Sequence, residues 1–325
     1  MNLFEEKISK VLVGFPIYIQ NLTMFPLESE ESSDLKYLDF TEEVNRGNVK
    51  VKEVDQSGSV PTLFLENKAL KPVFILDGEH LSGAKQNRTV NLSLLVPADT
   101  TMEIPVSCVE QGRWAHTSEY FFSEGELHFN RGRRMRARDV ARSLKTSNSR
   151  YSDQGEVWDA IKEKERIMNS HSKTLSMSDM YQDNLAQLDE FTKTAEPSAN
   201  QVGVVFAIGR RILGFDLFDN SETLKKHLRK LIRSVAIDAI EEIDDRVERP
   251  SLDHVRDFLN SFIKLEIDRY PAIGLGTDIR AFNDNLTACA LQWKERIVHF
   301  SGFSISSNER GSRLRRENFY RSSRV

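Results

Sequence analysis

A run of short segments in which apolar and polar residues alternate, between Pro72 and Trp114, most constrains what this chain can fold into. In Thr89–Val96, valine and leucine alternate with polar residues, and Met102–Val109 repeats the pattern. Period-two alternation is typical of a strand with one buried face. The short Pro97–Thr101 segment between the two strands predicts an antiparallel hairpin.

Two polar clusters flank the predicted hairpin. The first runs from Asp77 to Arg88, and the second runs from Glu110 to Trp114. In an antiparallel hairpin the start of the first strand lies beside the end of the second, so we expect Arg88 and Glu110 at the same end of the sheet. Because loops at strand ends can present side chains to a ligand, the sequence predicts a site there.

Asp77, Glu79 and Glu110 are the candidate catalytic residues. Asp77 and Glu79 are two residues apart, so in an extended chain they point the same way. A close pair could give one carboxyl a raised pKa for acid–base work, or hold a divalent cation through oxygen. The alternative is a tight turn at Asp77-Gly78 with solvated acids. Substitution of Glu79 by Gln or of Arg88 by Ala is expected to spare the fold, because neither belongs to the apolar face.

Donor-rich and aromatic side chains supply the candidate ligand-binding groups. The run after Gly83 suits phosphate or another anion, although it is also an ordinary hydrophilic turn. The second cluster could bind an anion and stack on a nucleobase or ribose, or its tryptophan could be a core or interface aromatic. The candidate ligand-binding residues are Lys85, Gln86, Asn87, Arg88, Gln111, Arg113 and Trp114.

The sequence predicts no zinc site, because spacings such as C-x-x-C or H-E-x-x-H do not occur in it. His80 lies among the acids, but a lone histidine on a loop is more often not a ligand. Cofactors therefore stay open, with a divalent cation held by carboxylates as one alternative. Cys108 shares the apolar face of its predicted strand, so we expect it to be buried and unreactive.

Positive charge is concentrated between residues 131 and 150, although the net charge of the chain is −4. This segment contains seven arginines and Lys145, and its only acidic residue is Asp139. The arginine spacing in 131–142 is expected to wrap around a helix. Such a helix is either solvated or contacts phosphate in a nucleotide or nucleic acid. Nucleic acid is the weaker alternative, because the overall charge is negative and the sequence carries no known nucleic-acid motif.

The predicted elements give an α+β fold class. Short strands at roughly 8–12-residue spacing predict an antiparallel β-rich core, sandwich or barrel-like. Residues 156–193 have helical spacing and polar flanks, and we expect a helical arm whose amides exchange faster than those of the β core. Residues 202–218 predict a hairpin, Asn220 and Ser251 begin packed helices, and three strands follow.

These expectations divide the chain into four parts. Residues 1–130 are a β-rich N-terminal part, and 131–197 are the basic segment and helical arm. Residues 198–304 are an α+β part that completes the same core, and 305–325 are a basic tail expected to be disordered. The chain has no apolar stretch of the ~20 residues that a membrane helix needs, and its two cysteines fit a reducing compartment. We expect a cytoplasmic protein without membrane contact, and its oligomeric state stays open.

Several strings in the sequence carry a family resemblance. NLTMFPL, LDGE, GAKQNR, VSCVEQGRW and GTDIRAFNDNLTACALQWKERIVHFSGF resemble the ARG- and rhodanese-phosphatase-superfamily-associated protein domain, over about residues 11–303. That family is named for its genomic neighbours, ADP-ribosylglycohydrolases and rhodanese-phosphatase proteins. The resemblance therefore implies a link to ADP-ribose metabolism or biological conflict.

Two functions follow as expectations. The first is a cytoplasmic enzyme, or enzyme-like binding protein, for a phosphorylated nucleotide-sugar such as an ADP-ribose derivative, with an anionic small molecule as the partner. The second is a non-catalytic interaction module that recruits protein or nucleic-acid partners. Convergence of Asp77, Glu79 and Glu110 in one cleft with Arg88 and Arg113 would favour the enzyme.

Overall fold

The computed structural model describes residues 2–31, 33–55, 59, 61–193, 195–242 and 248–305. The helices are α1 (Leu3–Ser9), α2 (Phe40–Asn45), α3 (Asn130–Ser147), α4 (Gln154–Met168), α5 (Met177–Asp183), α6 (Leu185–Thr192), α7 (Ser221–Glu241) and α8 (Leu252–Ile263). The first strands are β1 (Leu12–Val13), β2 (Ile17–Ile19), β3 (Leu22–Glu28), β4 (Leu38–Asp39), β5 (Val49–Glu53), β6 (Thr62–Asn67), β7 (Val73–Ile75), β8 (Glu79–Gly83) and β9 (Arg88–Val90). The remaining strands are β10 (Leu94–Val96), β11 (Thr100–Cys108), β12 (Phe121–Leu127), β13 (Gln201–Ile208), β14 (Arg211–Phe218), β15 (Asp268–Pro271), β16 (Thr277–Phe282), β17 (Leu286–Trp293) and β18 (Arg296–Ser304).

The strands of the described residues form three sheets. One is a closed barrel of six strands, in the order β11-β6-β5-β12-β8-β9. A small sheet, β10-β7-β4, contains a parallel pair between β4 and β7. The largest sheet has nine strands, in the order β1-β3-β13-β14-β18-β17-β16-β15, with β2 also paired to β3. The predicted α+β class with a β-rich, barrel-containing core is confirmed.

The nine-stranded sheet joins the two ends of the described chain. β3 pairs with β13 along its length, and β14 pairs with β18. The predicted hairpin between residues 202 and 218 is confirmed as β13 and β14. The turn from β17 to β18 consists of Lys294 and Glu295, which both have positive φ. Positive φ at both central residues is the geometry that a tight two-residue hairpin turn requires.

The hairpin predicted from Thr89 to Val109 is confirmed only in its first half. β9 pairs with β11, so that Arg88 lies opposite Cys108. The backbone N–H of Asn91 donates to the carbonyl of Pro105 at 3.1 Å, after which β10 leaves and pairs with β7. Proline has no N–H with which to continue the ladder, so the chain can diverge at this point.

Helices α4 to α6 confirm the predicted helical segment, but they pack into the core. Val157, Ile161, Met180, Leu188 and Phe191 are each at most 2% exposed and belong to the same apolar cluster as the buried face of α7. The sequence had suggested an arm because each apolar stripe is short. The structure shows that α7 supplies the second apolar surface that these stripes need.

Other predictions at the chain's periphery have mixed outcomes. Helix α1 was not predicted, although Asn2 and Glu5 form a capping box at its start. Of the predicted basic tail over residues 305–325, only Ile305 lies within the described residues, and its side chain is buried. Among the residues that the structure does describe, no helix is long and apolar enough to cross a membrane.

The packing of α6 predicts that Phe191→Ala destabilises the protein by about 3–5 kcal/mol, because truncation leaves a cavity in the core. Leu185→Ala in the same helix is the matched control, since Leu185 is 39% exposed. We expect it to cost less than about 0.5 kcal/mol. Urea unfolding of both variants measures the difference. Equal, small losses of stability in both variants would contradict the core packing and would support a separate helical arm.

Candidate functional site

The predicted site residues gather mainly at one end of the barrel, which places Arg88 and Glu110 together. We call Lys85, Gln86, Asn87, Arg88, Glu110, Arg113 and Trp114 the barrel-end cluster. Glu110 is paired with Arg113 at 2.6 Å and accepts a hydrogen bond from the Asn87 backbone at 3.1 Å. Arg113 also donates to the Asn87 side chain at 2.9 Å. Residues from both polar clusters therefore meet, as the hairpin geometry predicts.

The contacts of Glu110 show that this cluster fastens a loop. Thr174 donates to the Glu110 carboxylate at 2.8 Å, and Gly112 donates to the Thr174 carbonyl at 2.7 Å. Asn87 donates to Ser178 at 2.8 Å. Burial alone would raise the pKa of Glu110, but the hydrogen bond from Arg113 and its other donors lower it. A carboxylate held ionised by so many donors suits the joining of the barrel to the α4–α5 connection better than acid catalysis.

Arg88 is the most enclosed member of the cluster. It is fully buried, donates to the Gln86 carbonyl and side chain at 3.1 Å each, and lies 3.7 Å from Glu53. Trp114 is 49% exposed, and Arg88 and Lys85 lie over its ring. A ligand can therefore reach Trp114 and the exposed Gln111, whereas Arg88 lies beneath them. Ligand binding by these residues stays a prediction.

Asp77 lies elsewhere, in a buried charge centre formed by Asp77, Arg133, Asp216 and His299. Arg133 donates to Asp77 through two bonds of 3.0 Å, and to Asp216 at 3.0 and 2.7 Å. His299 contacts Asp216 at 3.0 Å. Each of the four residues is at most 4% exposed.

The Asp77-Gly78 turn positions this centre. Gly78 has φ +87°, and a Cβ there would lie 2.9 Å from the Arg133 side chain. Both the conformation and the space therefore require glycine. The alternative of a tight turn at Asp77-Gly78 is confirmed, but Asp77 is not solvated.

The buried charge centre contains the side-chain types that bind a metal ion, but its two carboxylates are already paired with an arginine. Ligand atoms of Asp77, Asp216 and His299 lie within 4.8 Å of one another, which would suit a cation. However, the Arg133 guanidinium already contacts both carboxylates and supplies the positive charge. Burial would raise the pKa of Asp77, but Arg133 and His299 keep it below its usual range. The expectation of a raised pKa in a close acid pair is wrong for Asp77.

Glu79 has a third environment. Lys230 donates to both of its oxygens at 2.9 Å, Ser123 donates at 2.5 Å, and Thr41 donates at 3.1 Å. The three predicted catalytic carboxylates therefore pair with three different cations and do not share one cleft. The sequence placed Glu79 and Arg88 off the apolar face, but both side chains are fully buried and lie beside Lys230 and Glu53. Substitution at either residue is therefore expected to destabilise the fold, contrary to the expectation from sequence.

The basic segment is an interior helix instead of a solvated one. Arg133, Arg134 and Arg136 on α3 are 1%, 4% and 1% exposed. Arg133 and Arg136 lie on one stripe with Ala137, Val140, Ala141 and Leu144, all buried. The signal was in the sequence, since these positions follow one another at intervals of three, one, three, one and three residues. Arg133 and Arg136 therefore lie at positions of the helix where the pattern predicts apolar residues.

A surface cavity of about 340 Å³ lies at the start of α7. We call it the α7 cavity. Its wall includes Tyr37, Asp39, Phe74, Asn220, Thr223 and His227, and Lys36, Lys71 and Lys226 lie at its rim. No predicted site residue lines it. Its parts come from residues 33–39, 71–74 and 220–227, which are distant in the chain, so sequence periodicity alone could not bring them together.

The first turn of α7 gives the cavity a positive end. Asn220 caps the helix by accepting from the Thr223 backbone at 2.8 Å. The backbone N–H groups of Ser221 and Glu222 precede that bond and have no partner within a helix. Lys226 pairs with Glu42 at 2.9 Å, whereas Lys36 and Lys71 have no ion-pair partner among the described residues. Exposed lysines and free helical N–H groups both favour an anion.

His227 forms the inner wall of the cavity. Its Nε2 lies 3.3 Å from Asp39 Oδ2, while Asp39 Oδ1 caps α2 by accepting from Glu42. Its Nδ1 has no hydrogen-bond partner among the described residues. Burial lowers the pKa of His227 well below its usual range, so the ring is neutral near pH 7. Burial also raises the pKa of Asp39.

A buried polar stripe on α7 connects the cavity to the predicted site residues. Thr223, His227, Lys230, Ser234 and Asp238 follow one another at helical spacing, and all are at most 7% exposed. Lys230 pairs with Glu79, Ser234 donates to the His128 carbonyl, and Asp238 pairs with Lys164. Sequence analysis found the apolar face of α7 and missed this second stripe, although its spacing was visible.

The comparison with known families identifies a domain that spans most of the chain. The model of the ARG and Rhodanese-Phosphatase-superfamily-associated Protein domain matches residues 10–303. Neither the curated proteins nor the solved structures contain a match to this chain.

The buried charge centre predicts that Arg133→Met destabilises the protein by about 3–5 kcal/mol, because two buried carboxylates lose their cation. Arg229→Met on α7 is the matched control, since its side chain is 61% exposed and its pair with Asp189 lies at the surface. We expect the control to cost at most about 1 kcal/mol. Denaturant unfolding measures both. A small loss for Arg133→Met would show that the centre is not needed for stability.

The thiols supply a separate prediction. Cys108 and Cys289 are buried, as expected for Cys108, and burial raises the pKa of each to about 11. A thiol-specific reagent at pH 8 should therefore label the native protein far more slowly than the urea-unfolded protein, because little thiolate forms and access is blocked. Peptide mapping assigns the labelled residue. Rapid labelling of native Cys108 would contradict the expectation.

Proposed function

The chain belongs to the ARG and Rhodanese-Phosphatase-superfamily-associated Protein domain family, and we propose that it binds a phosphorylated nucleotide-sugar, such as an ADP-ribose derivative, in the α7 cavity. The observation that carries the proposal is the cavity itself, which opens at a helix N-terminus between three lysines. We propose this site in place of the barrel end, where Glu110 is paired with Arg113 and Arg88 is fully buried.

The positive end of the cavity supports phosphate as the anchored group. Lys36, Lys71 and Lys226 are exposed and line its rim. A phosphate placed there would accept from ammonium groups and from the N–H groups of the first turn of α7. Such contacts combine full charges with the helix dipole, which makes helix N-termini common phosphate sites. Glu222 and Asp39 also line the cavity and Lys226 is paired with Glu42, so Lys36 and Lys71 are the cations left to meet a phosphate.

The size of the cavity supports a small ligand. Its volume of about 340 Å³ lies at the lower end of the range of about 300–1,000 Å³ that is typical of ligand sites. A phosphorylated sugar fits that volume, and the remainder of a dinucleotide would extend over the rim. The choice of ADP-ribose rests on the family's genomic neighbours, ADP-ribosylglycohydrolases, and on no feature of the cavity.

The predicted catalytic roles of Asp77, Glu79 and Glu110 remain predictions under this proposal. Glu79 is linked to the cavity through Lys230, its ion-pair partner, which lies one turn along α7 from His227. We further propose a cytoplasmic location, since both cysteines are free and buried. Nucleic-acid contact through residues 131–150 finds no support in Arg133, Arg134 or Arg136, which are buried.

A second candidate function is a non-catalytic interaction module. One observation favours it: Leu12, Phe15 and Tyr18 are 70%, 88% and 53% exposed, close together in the chain. They lie on or between β1 and β2, at an edge of the nine-stranded sheet. Exposed apolar side chains beside an open sheet edge are typical of surfaces that add a partner strand.

The proposal predicts that ADP-ribose stabilises the protein, by about 2.7 kcal/mol when its concentration is 100 times Kd. Lys71→Glu should weaken ADP-ribose binding about 10-fold or more, because it replaces a charge-assisted contact by repulsion. Isothermal titration calorimetry at low and moderate salt measures the affinities, and the loss should shrink as salt rises.

Lys225→Glu is the matched control for that experiment. Lys225 is exposed on the same helix and makes the same charge change, but it does not line the cavity. Its affinity for ADP-ribose should stay within about twofold of the unmodified protein. Equal losses of affinity in both variants would show that only the net charge matters. That result would reject the α7 cavity as the binding site.

A further inference from the structure

We propose that Lys7 is a nucleophilic amine that forms a Schiff base with a small aldehyde, in a cavity where α1 lies against the ends of β14 and β18. The cavity has a volume of about 40 Å³, and we call it the α1 cavity. Its wall includes Leu3, Lys7, Ser33, Asp219 and Ile297. The proposal does not depend on ligand binding in the α7 cavity, so either can fail without the other.

The amine of Lys7 is held by a neutral acceptor. Its Nζ donates to the carbonyl of Phe218, the last residue of β14, at 2.9 Å. Lys10 lines the same cavity, but it pairs with Glu6 at 2.9 Å and with Glu31 at 3.1 Å. Within the described ranges Lys7 has no ion-pair partner. Its amine can therefore lose a proton without breaking a salt bridge.

The surroundings of Lys7 favour that loss. Burial lowers the pKa of Lys7 to about 8, and the negative charge of Asp219 opposes the shift only in part. More of the side chain is therefore neutral near pH 7 than in an ordinary lysine, and the neutral amine is the form that attacks a carbonyl carbon. Lys7 is partly exposed and lines the cavity, so a small molecule can reach it.

Asp219 supplies a carboxyl group for proton transfer in the same cavity. It directly follows Phe218, and it accepts hydrogen bonds from Tyr37 and, at 2.9 Å, from Asn220. Burial raises the pKa of Asp219, although these hydrogen bonds oppose the shift. A carboxyl group with a raised pKa and an amine with a lowered pKa, both lining one cavity, form a combination that acid–base catalysis uses.

Schiff-base formation needs no reactant besides the aldehyde. Lys7 Nζ attacks the aldehyde carbon, and the N–C bond forms as one C=O electron pair moves to oxygen. A proton passes from nitrogen to that oxygen, which gives a carbinolamine. Asp219 then protonates the hydroxyl group, which leaves as water while the C=N bond forms. The Asp219 carboxylate takes back the second proton that nitrogen loses.

The size of the α1 cavity restricts the aldehyde. A volume of about 40 Å³ holds about three water molecules, or an organic molecule of about four non-hydrogen atoms. Glycolaldehyde has that size, whereas pyridoxal 5′-phosphate is several times larger. The cavity therefore admits the first aldehyde and excludes the second.

Reductive trapping of the unmodified protein at pH 7 tests the proposal. Sodium cyanoborohydride reduces a Schiff base to a stable secondary amine, and peptide mass mapping gives the modification rate at each lysine. With glycolaldehyde, Lys7 should react about 10-fold or more faster than Lys225, an exposed lysine on α7, because more of its amine is neutral. With pyridoxal 5′-phosphate the order should reverse, because the larger aldehyde reaches only the exposed lysine.

Two results would overturn the proposal. One is a rate at Lys7 that does not exceed the rate at Lys225 with glycolaldehyde. The other is faster reaction at Lys7 with both aldehydes, which would show that the α1 cavity does not select by size. Neither comparison requires a variant, so the test does not depend on the folding of a mutant.

Asp219→Asn tests the role of the carboxyl group. The variant keeps an oxygen that accepts from Tyr37, but it cannot exchange a proton, so trapping at Lys7 should slow by about 10-fold or more. Loss of the negative charge alone would act in the opposite direction, because it leaves more of the Lys7 amine neutral. Faster trapping in this variant would overturn the role of Asp219, and the rate at Lys225 should not change.

Discussion

The bridge that Arg133 forms between Asp77 and Asp216 is the interaction on which the arrangement of the molecule depends. Asp77 lies in the connection between β7 of the small sheet and β8 of the barrel. Arg133 lies on α3, and Asp216 lies on β14 of the nine-stranded sheet. One guanidinium thus joins three layers. Two buried carboxylates without it would be strongly destabilising, although such a bridge is not in itself more stabilising than an apolar contact. Its value lies in fixing one relative placement of barrel, helix and sheet.

Helix α7 extends this arrangement to the surface. One face is apolar and completes the core with α4 to α6, and a second, polar stripe runs from Thr223 at the cavity to Asp238 beside Lys164. His227 and Lys230 stand next to each other on that stripe, one facing Asp39 at the cavity wall and the other holding Glu79. The cavity is therefore built on a regular helix packed into the core, which is the setting that precise ligand recognition needs.

Local pattern predicted most elements and little of the candidate site. Alternation and caps identified β13, β14, α7, α8 and the closing strands, because each depends on residues near in sequence. Pairing that depends on distant residues was not predictable, as the departure of β10 to β7 shows. The arginines of α3 were read as exposed, since a charged side chain in a buried stripe needs partners such as Asp77 and Asp216 that no local pattern reveals. The α7 cavity combines three remote segments, so its residues could not be grouped from one sequence.

The central claim is that the α7 cavity, and no other part of the molecule, holds the phosphate of a nucleotide-sugar. A crystal structure of the protein soaked with ADP-ribose tests it most directly. The account predicts phosphate density against the N–H groups of Ser221 and Glu222, within reach of Lys71. Ordered ADP-ribose stacked on Trp114 at the barrel end, with the α7 cavity containing only solvent, would contradict it.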